Sequence, residues 1–368
     1  MKITIIAGAR PNFMKIAPII HAIQKVKNNG SKMSYRLIHT GQHYDKRMSD
    51  TFFEELNIPQ PDSNLECGGG TQAEQTAAIM IAFEKELLDN PSDLVLVVGD
   101  VTSTMACSIV AKKLQIKVAH VEAGIRSNDR AMPEEINRLV TDSITDYYFT
   151  TSEIANQNLR NEGVAEEKIF FVGNVMIDTL LKNQERFAKP SFFVEKGLQK
   201  NNYIVLTMHR PANVDQADNL ISLMDEIIAN SQSLPIIFPI HPRTAKIFND
   251  LDIAAPNLHI VEPLGYLEFN YLVQNAKAVI TDSGGITEET TVMGVPCITL
   301  RDNTERPETV NVGTNELIGT NPKMIEPTLE KLFRNDWKKG GIPEKWDGKA
   351  ASRIVATLLN INSKNREF

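Results

Sequence analysis

The 368-residue chain is poor in cysteine: Cys67, Cys107 and Cys297 are its three, and no two share a C-x-x-C spacing. That argues against a disulfide framework and a structural zinc site. The three read as small buried hydrophobes of a reducing compartment. No apolar run approaches the roughly 18 residues of a membrane helix. The N-terminal KITIIA stops at Gly8 and Arg10, too short a run for a signal peptide, so a cytoplasmic protein without a membrane partner is expected. A basic excess is also missing. Lys plus Arg is 39 and Asp plus Glu is 46, giving 39 − 46 = −7, which argues against a nucleic-acid partner. Hydrophobic residues at 42% and charged residues at 23% are those of a globular chain. At roughly 150 residues per domain its length predicts about two domains.

Short β-branched runs alternate with helical patterns, as in parallel sheets with crossover helices. The strands expected in the first half are Ile3–Ala7, Tyr35–His39, Leu94–Val98, Lys117–Val121, Tyr147–Thr150 and Ile169–Val172. In the second half they are Tyr203–Thr207, Ile236–Ile240, His259–Val261, Ala278–Thr281 and Cys297–Leu300. A helix over 175–187 and a Pro-containing polar stretch separate the halves. The division expected is 1–172, 173–350 and a last helix with an apolar face at 351–361, followed by a frayed SKNREF tail. The fold class is therefore α/β, with two Rossmann-like doubly wound domains facing a cleft. Ligands of such sheets bind outside the carboxyl ends of the strands, where every polar motif of this chain falls.

Seven motifs carry chemistry. GARPNFMK (8–15) puts Arg10 and Lys15 near a helix N-terminus, where backbone amides favour an anion. It matches neither G-x-x-x-x-G-K-[ST] nor G-x-G-x-x-G, and a surface Arg and Lys flanking a helix start is the plainer reading. VVGDVTST ends a buried strand with Asp100, either a helix cap or an acid–base group. HVEAGIRSNDRAMPEEINR ends another with Glu122, and its Glu134 and Arg138 are spaced for an i,i+4 ion pair or for a site. A Glu at a buried strand end is costly without a task or a partner. TMHRPANVD and PIHPRT place His209, Arg210 and His241 in loops after strands, suited to phosphate binding or general acid work and equally readable as polar loops. TDSGGITEETTVMGVP is the strongest nucleotide signal: Ser283, Gly284 and Gly285 open a helix whose dipole favours phosphate, and Glu288 and Glu289 follow. LRDNTERPE adds Arg301 and Arg306. The six cations Arg10, Lys15, Arg138, Arg210, Arg301 and Arg306 are expected to line a positive pocket in an acidic protein.

GARP…K, VVGD, HVEAG-I-R, PEE-x-NR, HR-P-x-N, DSGG-x-x-EE and RD-x-TERPE occur together, in order, across nearly the whole chain. In this the chain resembles the non-hydrolysing UDP-N-acetylglucosamine 2-epimerases. The resemblance implies a glycosyltransferase-B fold whose last helix returns to the first domain. It implies interconversion of UDP-N-acetylglucosamine and UDP-N-acetylmannosamine by elimination of UDP to 2-acetamidoglucal and re-addition. It calls for no cofactor and no metal, and suggests a homodimer. Asp100, Glu122 and Glu134 are then the catalytic carboxylates, their faces unassigned. Arg10, Lys15, Arg138 and His209 hold or protonate the diphosphate. Ser283, Gly284 and Gly285 form the phosphate loop, Glu289 takes the ribose, Arg306 lines the cleft, and Phe269 is a uracil contact or a core residue.

The chain departs from the family at Asn12, where an acid is usual. Of a second UDP-sugar pocket found in many bacterial members it matches Gln42, Glu135, Arg210 and His241, but not at Asp45 or within 67–72. Those departures imply independence from activation by substrate. They also resemble relatives acting on other UDP-2-acetamido sugars, including 2,3-diacetamido uronates. A glycosyltransferase, a UDP-releasing hydrolytic variant and an inactive nucleotide-sugar sensor are the competing readings.

Overall fold

Runs such as Leu94–Val98 (LVLVV), buried along their whole length, fit strands covered on both faces. The computed structural model describes residues 1–42, 53–240, 242–251 and 253–364, and in it these runs form two parallel sheets. The described chain divides into two compact units, Met1–Lys182 with Glu344–Phe368, and Asn183–Pro343.

The first sheet contains β1 (Lys2–Ala7), β2 (Ser34–His39), β3 (Ser63–Asn64), β4 (Leu94–Val98), β5 (Lys117–Val121), β6 (Tyr147–Thr150) and β7 (Ile169–Phe171), in the order β3-β2-β1-β4-β5-β6-β7. The second contains β8 (Ile204–Thr207), β9 (Ile236–Pro239), β10 (Leu258–Val261), β11 (Ala278–Thr281), β12 (Cys297–Thr299) and β13 (Asn315–Leu317), in the order β10-β9-β8-β11-β12-β13. Both orders run outward from the first strand and then reverse, the doubly wound pattern. The reversal lies between β1 and β4 in one sheet and between β8 and β11 in the other, so the loops after these four strands flank the crevices where such sheets bind ligands.

Branched residues fill the interior. Ile3, Ile5, Ile16, Ile19 and Ile20 are fully buried between β1 and the helix Arg10–Asn28, each worth roughly 1.5–3 kcal/mol of transfer free energy. In the second unit Leu206, Leu223, Met224, Ile236, Phe238 and Ile280 form the corresponding cluster.

The last helix, Ala350–Lys364, packs on the helix Arg10–Asn28 of the first unit. Its start is tied down by Asp178, whose carboxylate accepts from the backbone N–H groups of Ala350 (3.0 Å) and Ala351 (2.7 Å). Just before it, the buried Trp346 donates its Nε1–H to the Thr151 carbonyl at 3.2 Å. Gly173 has φ +92°, and a Cβ there would drive into the Lys345 carbonyl, so only glycine allows this approach. Ser363 and Lys364 belong to the helix rather than to a frayed tail, because the helix continues past the last large apolar residue. The helix expected over 175–187 ends at Asn183 and passes into a 3-10 turn at Gln184–Arg186. The chain passes from the first unit to the second at 182/183 and returns at 343/344.

Candidate active site

In the first unit the chemistry gathers on the loops after β1, β4 and β5. Asn12 is buried one turn into its helix. Its Oδ1 accepts from Gly8 N and Ala9 N (both 2.9 Å), and its Nδ2 donates to the Val98 carbonyl (3.2 Å). The amide thus serves orphan N–H groups of the helix start and ties the β1 loop to the end of β4. Three residues on, buried Lys15 reaches the Glu122 carboxylate with Nζ–Oε2 at 2.7 Å. Glu122, directly after β5, has φ +73°. A non-glycine residue there costs on the order of 1–3 kcal/mol, which persists where surrounding structure over-determines it. Gly99 (φ +67°) completes the constraint, since a Cβ at that position would lie 2.7 Å from Lys15 Nζ.

Arg138 forms the second half of the cluster. Its Nε and one terminal nitrogen donate to Asp100 Oδ2 at 3.1 and 2.6 Å, and the other terminal nitrogen donates to Glu135 Oε2 at 2.8 Å. Asn137 Nδ2 holds the Asp100 carbonyl at 2.8 Å. Burial pushes the Asp100 carboxyl up, but the charges of Arg138 and Lys15 outweigh it and hold the group below its ordinary range. The sequence spacing suggests Glu134 as the helical partner of Arg138, yet the buried partner is Glu135 and Glu134 is exposed. Spacings of three and four residues both place side chains on one face, and here burial selects the first. Burial pushes Glu135 up too, but the Ser127 and Asn128 N–H groups and Arg138 bring it below its usual value. Arg10 is partly buried, and burial lowers its guanidinium while the Glu55 carboxylate opposes that shift. Gln42 Oε1 accepts from Ser103 N (3.1 Å) and Oγ (2.7 Å).

In the second unit His209 follows β8 and Asp282 follows β11. The imidazole Nδ1 lies 2.8 Å from Asp282 Oδ1. The phosphate-loop residues Ser283–Gly285 come next, with Ser283 at the N-cap of the helix Gly284–Met293 and its N–H on Thr281 Oγ1 (3.0 Å). Arg306 Nε pairs with Glu288 at 2.7 Å, both side chains buried. Arg301 pairs with Glu305 at 2.5 Å, and Arg210 lies 3.7 Å from the same carboxylate. Phe269 is partly buried against the core cluster containing Phe193 and Tyr203. His241 and Asp45 lie outside the described residues.

The cations expected to line a bare positive pocket are therefore mostly matched by acids: Lys15 with Glu122, Arg138 with Asp100 and Glu135, Arg301 and Arg210 with Glu305, and Arg306 with Glu288. A buried cation without a counter-charge would cost several kcal/mol. Asp100, Glu122, Glu135 and Glu288, already named from the motifs, supply most of the balance, and Glu305, given no role there, supplies the rest. Asp282 and Glu305 had a signal in the sequence, an acid ending an apolar strand and an acid between two arginines.

Glu289 is buried, with Tyr266 Oη donating to its Oε1 at 3.0 Å. Burial pushes its carboxyl up to about 7, and the hydrogen bonds from Tyr266 and Asn270 offset this only in part. The folded value lies above the ordinary 4.5, so between these pH values the folded state holds a proton the unfolded chain has lost. The group's contribution to stability is therefore complete below about pH 4.5, declines through about pH 7 and then levels off. Glu289→Gln should remove that decline. In nucleotide-free thermal denaturation, the melting temperature of the variant relative to wild type should rise from pH 5 to pH 8. A constant difference across that range would contradict the assignment.

Two Rossmann-like units, with their polar side chains collected at the strand-order reversals, define a two-Rossmann nucleotide-binding enzyme class. The family model for UDP-N-acetylglucosamine 2-epimerase matches residues 24–359, and the chain belongs to that family. It is 45% identical to a UDP-N-acetylglucosamine 2-epimerase of Methanocaldococcus jannaschii, over 97% of this chain and 99% of that one. It is 38% identical to a UDP-2,3-diacetamido-2,3-dideoxy-D-glucuronate 2-epimerase of Pseudomonas aeruginosa, over 98% of this chain and all of that one. The crystal structure of the M. jannaschii enzyme in complex with UDP-GlcNAc and UDP superposes with a TM-score of 0.87 at 44% identity, covering 98% of this chain and 100% of that one.

Proposed function

We propose that this chain inverts C2 of UDP-N-acetylglucosamine to give UDP-N-acetylmannosamine, and the reverse, by eliminating UDP and adding it back. The observation that carries the reading is the pair of carboxylate–cation contacts, Lys15 with Glu122, both buried, and buried Arg138 with the partly exposed Asp100, on loops beside the strand-order reversal. A C2 hydrogen beside an acetamido group is weakly acidic, so abstraction is coupled to loss of UDP. A carboxylate takes the C2 proton, the C–H pair becomes the C1=C2 bond of 2-acetamidoglucal, and the C1–O pair leaves with the diphosphate. Return of a proton to C2 on the opposite face uses the C1=C2 pair, and a diphosphate oxygen re-forms the C1–O bond, which completes inversion.

Asp100, Glu122 and Glu134 are assigned the proton transfers. Arg10, Lys15, Arg138 and His209 orient the sugar and the departing diphosphate. Ser283, Gly284 and Gly285 hold phosphate on the helix N-terminus, Glu289 the ribose, Arg306 the nucleotide side, Phe269 the uracil and His241 the substrate. No added cofactor or metal is invoked. The enzyme is read as a cytoplasmic homodimer. Buried free thiols support the reducing compartment. Ile81 and Leu88, 72% and 64% exposed on one face of the helix Gln72–Asp89, support a protein partner.

The P. aeruginosa relative favours a second reading at the same site, C2 epimerisation of a 2,3-diacetamido uronate. Incubation of each UDP-sugar in D2O, followed by proton NMR, separates the two. The true substrate acquires deuterium at C2 in both epimers. Absence of exchange in a sugar nucleotide shown to bind would exclude it. Glycosyl transfer would leave the C2 hydrogen intact.

A further inference from the structure

His209 carries its ring in the open: the side chain is 61% exposed, while the carboxylate it touches, Asp282, is 0% exposed. An exposed imidazole on a loop ordinarily samples several rotamers and both neutral tautomers. This one does not have that freedom. Asp282 Oδ1 lies 2.8 Å from Nδ1. The same carboxylate accepts from the backbone N–H of His209 (3.2 and 3.0 Å), from the backbone N–H of Arg210 (2.9 Å) and from Asn213 Nδ2 (3.0 Å). Asn213 Nδ2 also reaches the Leu300 carbonyl at 3.1 Å. Asp282 comes from the end of β11 and His209 from the end of β8, the two strands that flank the order reversal of the second sheet.

An anion with this many donors is itself immobile. Because it accepts only, the imidazole nitrogen facing it must be the protonated one. We propose that Asp282 is a positioning residue for His209, holding Nδ1–H toward its carboxylate so that Nε2 alone is presented for proton exchange with the departing diphosphate. In the elimination direction the imidazolium gives its Nε2 proton to the leaving diphosphate oxygen and becomes the Nδ1–H tautomer. In the addition direction Nε2 takes the proton back. Asp282 neither gains nor loses a proton in either direction. Arg210, the next residue along the loop, has its own carboxylate partner in Glu305 at 3.7 Å. The inference rests on the epimerase reading for its diphosphate, but not for the tautomer.

Two measurements test it on the intact chain. Long-range nitrogen–proton NMR of neutral His209 in the wild-type protein should show Nδ1 protonated and Nε2 bare. A protonated Nε2 would overturn the proposal, whatever reaction the protein catalyses. In the second, Asp282→Asn should lower kcat for C2 exchange about 100-fold while the Kd for UDP stays within about threefold. In a His209→Gln background the same substitution should cost no further activity, because the residue acts only through the imidazole. Equal fractional losses in both backgrounds would mean that Asp282 merely supports the loop. Should Asp282→Asn fail to fold, the wild-type tautomer decides. Failure of the epimerase reading is recognised separately, as a wild-type protein that exchanges no C2 hydrogen.

Discussion

Glu122→Gln is expected to abolish hydrogen exchange at C2, with kcat down about a thousandfold or more, while UDP still binds within a few-fold of wild type. Positioned general bases contribute roughly 10²–10⁴-fold, and an amide cannot take up a proton at neutral pH. The substitution is close to isosteric, and the left-handed backbone at φ +73° is no harder for Gln than for Glu. An amide oxygen can still accept from Lys15, so the contact at 2.7 Å need not be lost. The change is therefore confined to the proton-accepting capacity of one group. Deuterium incorporation in D2O and calorimetric titration with UDP read the two effects separately. Turnover retained within tenfold would remove Glu122 from the chemistry and leave it as a structural partner of Lys15.

Arg138→Ala should have the second-largest effect, and it should act on stability and rate together. The guanidinium is buried and bridges Asp100 to Glu135 through three hydrogen bonds of 2.6–3.1 Å. Its removal strands the buried Glu135, whose remaining donors are the backbone N–H groups of Ser127 and Asn128. Breaking one side of a buried pair typically costs about 3–5 kcal/mol, and at roughly 2–4 °C per kcal/mol the melting temperature should fall by about 10 °C. Asp100 also loses the cation that does most to hold its carboxyl low, so the acid limb of the pH–rate profile should move upward. Arg138→Lys keeps the charge without the planar fork and should fall between the two. A melting temperature within 2 °C of wild type, with activity within threefold, would refute the bridging role.

How far the site could be read in advance depended on what kind of signal each residue left. Asp100, Glu122 and the Ser283–Gly285 loop stand directly after apolar runs, and the structure places each at the end of a buried strand. The short strands β3 (Ser63–Asn64) and β13 (Asn315–Leu317) were not legible. Two or three residues at a sheet edge need no apolar periodicity, and their pairing is supplied by β2 and β12. The Glu134–Arg138 spacing is a helical pair on paper, yet Glu135 is the buried partner, because spacing defines a face and not which member turns inward. Gln42 and Glu135, singled out as matches to a second ligand pocket, have their side chains engaged by Ser103 and by Ser127, Asn128 and Arg138.

The order of the apolar strands and the helices between them, the alternation that requires parallel sheets and the family of the chain follow from the linear sequence. They depend on local periodicity and on motifs contiguous in the chain. The charge balance of the candidate site does not. Lys15 and Glu122 are 107 residues apart, and His209 and Asp282 are 73 apart, so only the folded sheets bring each cation or imidazole against its carboxylate. An acidic chain with six basic residues in its motifs reads as a positive pocket. Desolvation makes unmatched buried charge too costly, and the tertiary structure accordingly supplies an acid to nearly every one of them.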